Sequence, residues 1–108
     1  MKKHILIDGT PISRQIDGLT QYILNVVLRL DTSAYNYTLL LRPSQCPQNY
    51  LRRLQATNIR IEEVNISPIG PIRDFQFARY LKARPHFDAA FIPSNQYPLA
   101  LRIPTIFV

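Results

Sequence analysis

Apolar residues along this chain switch between two spacings. Ile5-Leu6-Ile7 is a short unbroken apolar run closed by the turn cluster Asp8-Gly9-Thr10-Pro11, the pattern of a buried first strand. From Leu19 the spacing becomes helical. Leu19, Tyr22, Ile23, Val26, Val27 and Leu30 fall at i, i+3, i+4, i+7, i+8 and i+11 and make one stripe. Asp17 stands ahead of that stripe as an N-cap, its carboxylate able to accept from the free amides of the first turn. Asp31-Thr32-Ser33 compete with the backbone for hydrogen bonds and end the helix.

The alternation continues. Positions 37–41 predict a second strand stopped by Arg42-Pro43, and Pro47 opens a short helix over 47–54 with Tyr50, Leu51 and Leu54 on its apolar face. Ile59, Ile61 and Val64 mark a third strand, and the charged Arg60, Glu62 and Glu63 between them predict an edge or half-exposed position. A third helix follows over 72–83, with Ile72, Phe75, Ala78 and Leu81 on its core side and Phe77 and Tyr80 widening the stripe. Pro85 stops it, because proline disfavours helical geometry in the residue before it. Positions 88–92 predict a fourth strand whose small Ala89 and Ala90 suit a crowded central place, and 103–108 begin a fifth.

The order β-α-β-α-β-α-β-loop-β predicts an α/β fold: a Rossmann-like, mostly parallel sheet of about five strands with right-handed crossovers and helices on both faces. No long linker interrupts it, so residues 1–108 form a single domain. The fifth strand is still running at Val108, without turn, cap or covering helix. The expectation is an incomplete domain, a fragment of a larger protein whose unfinished strand is liable to self-association.

Composition changes this picture little: 46% hydrophobic and 19% charged is ordinary for a globular domain. The single Cys46 leaves no internal disulfide, and with His4 and His86 isolated no metal-ligand cluster is present and no cofactor is expected. The opening Met-Lys-Lys-His-Ile-Leu-Ile-Asp lacks the roughly seven-residue apolar stretch of a signal peptide, and no segment approaches the roughly 18 apolar residues of a membrane span. The expected location is cytoplasmic or peripheral at the inner membrane surface. A net charge of +6 favours anionic partners such as nucleotides, phosphorylated substrates or nucleic acid. The basic residues are spread out, at Lys2-Lys3, Arg52-Arg53, Arg79, Lys82 and Arg84. Solvated helix faces explain most of them, so nucleic acid is an unlikely partner.

Ligands of open α/β sheets sit beyond the C-terminal ends of the strands, and two loops reach that edge. The first runs from Asp8 to Gly18, into the start of the first helix, where free amides and a residue without a side chain allow close approach of an anion. Gly18 serving only the turn is an equal alternative. Gly9 and Gly18 are too far apart for a dinucleotide fingerprint, and no Gly-Lys-Ser/Thr is present for a P-loop. The second loop, Ser94-Asn95-Gln96-Tyr97, offers amides, hydroxyls and an aromatic face suited to polyols, or is an ordinary polar loop. Asp8 can orient a ligand or act as a base, although capping a turn is the commoner role. No Ser-His-Asp, Cys-His or close carboxylate pair can be assembled, and no catalytic residue is assigned. A small basic α/β module that binds a phosphorylated ligand or nucleic acid satisfies these observations too.

Together these stretches resemble the N-terminal domain of a GT-B glycosyltransferase of the large retaining group called family 4 or group 1. Residues 5–12, Ile-Leu-Ile-Asp-Gly-Thr-Pro-Ile, look like that family's opening strand and loop, and Gly18-Leu19-Thr20-Gln21-Tyr22 resembles its G-I-G-R-Y helix start. Residues 88–97 look like its D-x-x-x-x-P stretch, and 103–108 like the strand before its H-D motif. The resemblance implies a two-lobed enzyme that moves a sugar from a nucleotide-sugar donor to a sugar or glycolipid acceptor. The donor would lie on a C-terminal lobe through an E-x7-E motif, with Gly18 and Thr20 facing its phosphates across the cleft. Asp8, Asn95, Gln96 and Tyr97 become the acceptor-binding candidates. Thr20 and Gln21 stand where the family often has Gly and Arg, and the chain ends before the H-D motif and the donor lobe. The expected enzyme is therefore a glycosyltransferase of which this fragment alone is not catalytic.

Overall fold

A computed structural model describes residues 2–15, 17–67, 72–83 and 87–93, and the backbone of a strand at 105–107. Alternating elements build a parallel sheet: β1 (His4–Asp8), α1 (Gly18–Leu28), β2 (Asn36–Leu41), α2 (Gln48–Gln55), β3 (Arg60–Glu63), α3 (Ile72–Ala83), β4 (Ala89–Ile92) and β5 (Thr105–Phe107). The strand order is β3-β2-β1-β4-β5. Four strands form the body of the sheet, and the three-residue β5 pairs in parallel with β4. This is an α/β fold of Rossmann-like type. The charged β3 does lie on an edge, beside β2.

Period-two alternation sorts the strand side chains into two cores. Ile7 is in register with Leu39 and Phe91, and these pack with Ile23, Leu24 and Val27 of α1 and Leu54 of α2. Leu6 is in register with Ala90, and together with Leu40 and Ile92 it packs under Phe77 of α3 and Phe87. Helices α1 and α2 therefore cover one face and α3 the other. The chain winds outward from β1 through β2 to β3, then returns to the far side of β1. Crossovers of one hand place the returning helix on the opposite face.

The helix faces differ from those the periodicity predicts. In α1 the buried residues are Thr20, Ile23, Leu24 and Val27, while Leu19 and Tyr22 are about two-fifths exposed. The buried stripe is rotated by one residue because Thr20, a polar residue, turns inward and accepts a hydrogen bond from the Ser13 amide at 3.3 Å. In α3 the correction is larger. Ile72 and Phe75 are mostly exposed, and the buried positions are Arg73 and Phe77. Tyr80 and Leu81 join Phe77 against the sheet. The seam is i, i+4, i+7 from Arg73, and a buried ion pair holds it.

His4 is integrated into the start of β1. Its ring nitrogen Nε2 lies 2.7 Å from Thr38 Oγ1, and its ring meets Phe87 edge-on at 4.9 Å. Its amide donates to the Asp88 carboxylate at 2.8 Å, closing the β1–β4 junction. His86 lies outside the described residues. No helix of the described residues is long and apolar enough to cross a membrane.

Candidate functional site

The order β3-β2-β1-β4 reverses its winding between β1 and β4, and the crevice beyond the C-terminal ends of those two strands is the expected ligand position in such sheets. Asp8 ends β1 at this edge and is fully buried. Its Oδ1 accepts from the Thr10 amide at 3.0 Å and the Thr10 hydroxyl at 2.7 Å, an aspartate-capped turn. Its Oδ2 pairs with the guanidinium of Arg73. Arg73 reaches down from the first turn of α3 and is only 2% exposed. Its Nη1 donates to Thr10 Oγ1 at 2.9 Å and to the Ser67 carbonyl at 3.1 Å, and its guanidinium lies 4.7 Å above the Phe77 ring.

Two charges are thus withdrawn from water together. Such a pair persists only where the remaining donors and acceptors are satisfied. Among the described residues no buried side-chain nitrogen or oxygen lacks a partner. A second arginine ties the same turn from outside, with Arg42 Nε donating to the Thr10 carbonyl at 2.7 Å. Asp8 therefore anchors the β1–α1 loop, and both its oxygens are engaged. Sequence reasoning missed Arg73 entirely. Its signal was available: Arg73 and Phe77 are four residues apart on a helix, so burying one face brings both to the sheet.

The start of α1 has its own anion. Asp17 is extended (φ −91°, ψ 179°) and accepts from the Thr20 amide at 2.8 Å through Oδ1. Thr20 is buried, its amide used by the cap and its hydroxyl by Ser13. Gly18 is exposed, with open space where a side chain would stand. The loop thus brings together one accessible candidate, Gly18, and one engaged in packing, Thr20. Asn95, Gln96 and Tyr97 lie outside the described residues. Among the described residues no group of three or more His, Cys, Asp or Glu is placed to hold a metal ion.

The cap sets a pH dependence. The hydrogen bond from the Thr20 amide, with further bonds from Thr20 and the first-turn backbone, lowers the Asp17 carboxyl below its ordinary value. A depressed folded-state value means the stabilisation is fully present above the unfolded value and is lost as pH falls through the folded one. Asp17→Asn, which still caps, is expected to keep most of the neutral-pH stability and to flatten the acid limb below about pH 4. Urea unfolding followed by circular dichroism across pH reads this. An acid limb identical in both proteins would contradict it.

No family model, no curated protein and no solved structure matches this chain.

Proposed function

We propose that this chain is the acceptor-side lobe of a GT-B glycosyltransferase, which transfers a sugar from a nucleotide-sugar donor to a sugar or glycolipid acceptor. One observation carries the reading: β1 and β4 are parallel neighbours at a winding reversal, so both strands end at the same sheet edge. The glycine at the start of α1 lies at the end of the first loop, and Asn95, Gln96 and Tyr97 follow β4 in sequence. In this reading Gly18 admits the donor phosphates to the backbone, and the three polar residues hold the acceptor's hydroxyls. Asp8, locked by Arg73 and Thr10, supports the site by fixing the loop. The donor lobe and the catalytic machinery belong to the rest of the enzyme.

The chain alone is expected to show no transfer. Expressed together with the sequence encoded immediately downstream, it is expected to give glycosyl transfer that depends on a nucleotide-sugar, measured with radiolabelled donor. A downstream frame without a second α/β lobe would sink the reading.

A further inference from the structure

A second concavity lies on the same sheet edge but to the side of β1 away from β4. It is a cleft of ≈ 750 Å³ between the β1–α1 loop, the β2–α2 loop, the end of β3 and the flank of α2. Leu41, Leu51, Ile59 and Ile61 make its apolar wall. Its polar groups include Arg14 and Arg42, Gln48 and Gln55 of α2, and the Glu63 carboxylate.

The two arginines are arranged alike. Arg14 donates its Nε to the Ser44 carbonyl, and Arg42 donates its Nε to the Thr10 carbonyl. Each is tethered by one nitrogen to main chain. Neither guanidinium makes any other hydrogen bond or ion pair among the described residues, which leaves the Nη groups of both unused. Ser44, which holds Arg14, has a left-handed φ of 61°, a conformation disfavoured for a residue with a side chain. A guanidinium fixed through Nε presents its remaining N–H fork in a restricted orientation, the geometry suited to phosphate oxygens.

We propose that this cleft binds the phosphate of a small soluble phosphorylated polyol, held between Arg14 and Arg42. Glu63 makes the ligand more specific than a bare anion. It has no ion-pair partner among the described residues, and a lone carboxylate beside a phosphate is tolerable when it accepts hydroxyl donors from the same ligand. Gln48 and Gln55 supply further amide donors and acceptors. The Cys46 thiol, also in the lining, is pushed up by burial and stays a neutral group. The site does not depend on the glycosyl-transfer reading. If that reading holds, the cleft gives its acceptor or an allosteric ligand a phosphate. If transfer is absent, phosphate binding remains.

The test titrates the 108-residue chain at low ionic strength with inorganic phosphate, followed by calorimetry and amide chemical shifts. Saturable binding of one equivalent is expected. Arg14→Gln and Arg42→Lys are each expected to weaken it about 10- to 100-fold, the worth of a charged hydrogen bond. Arg42→Lys keeps the charge and loses the fork. Arg60→Gln removes the same charge at the opposite end of β3 and is expected to leave affinity unchanged. Equal weakening by Arg60→Gln, or no saturation, would overturn the site. Glucose 6-phosphate is expected to bind more tightly than phosphate, and Glu63→Gln to erase that difference; equal affinities would overturn the polyol. Competition by phosphatidic acid vesicles, but not by glucose 6-phosphate, would overturn the soluble ligand in favour of a lipid headgroup.

Discussion

Asp8→Ala is expected to lower the unfolding free energy by about 3–5 kcal/mol, because it leaves the Arg73 guanidinium buried without its counter-charge. Most of the loss is the penalty of an uncompensated charge. The turn adds to it, since the Thr10 amide and hydroxyl also lose their acceptor. Against a total stability of about 5–15 kcal/mol the variant sits near unfolding. Arg73→Met should be comparably damaging, as it strands the carboxylate. The double variant Asp8→Leu/Arg73→Met removes both charges and is expected to recover most of the loss, since apolar replacements of buried pairs are often neutral or better. Urea denaturation of the unsubstituted protein, Asp8→Leu, Arg73→Met and the double variant closes the cycle and gives the coupling energy. Single variants that each unfold less than about 1 kcal/mol more easily would show that the pair is not the closed, desolvated cluster described above.

That pair marks where sequence reading stops. Every strand and helix was legible because each carries a local signal: the unbroken Ile5-Leu6-Ile7, the prolines at 43 and 47, the Asp17 cap that does accept from Thr20. Which face of each helix meets the sheet is not a local property. The α3 sequence carries two competing stripes, Ile72-Phe75-Ala78 and Arg73-Phe77-Tyr80. Hydrophobicity alone favours the first. The second wins because Asp8 waits under the helix, and that charge is 65 residues away along the chain. The same reasoning applies to the edge chemistry. Asp8 was legible as a turn cap, and Gly18 as an open helix start. The tethers of Arg14 and Arg42 were not, since each depends on a carbonyl in a different loop.

The two glycines of the first loop exchange their expected importance, and Gly9→Ala is expected to lower stability by about 3 kcal/mol or more, as overpacking of a rigid site does. A Cβ at Gly9 would press on the Leu40 carbonyl oxygen, lie 2.8 Å from Leu39 Cδ1 and 3.2 Å from Leu41 Cδ2. Side chains can yield at such distances, but the carbonyl belongs to β2, and Leu40 is the register partner of Asp8. Relief would require opening the β1–β2 ladder next to the buried ion pair. Gly18→Ala has the opposite sign. Nothing lies within 4 Å of its added Cβ, and alanine in the first turn of a helix is the better former by up to about 1 kcal/mol. Thermal unfolding of the two variants separates them, and a destabilised Gly18→Ala would contradict the open space there. Activity then separates stability from function. Under the glycosyl-transfer proposal, the stabilised Gly18→Ala protein, expressed with its downstream sequence, should lose transfer if donor phosphates approach the backbone at this position. Unchanged transfer would leave Gly18 a residue of the turn alone.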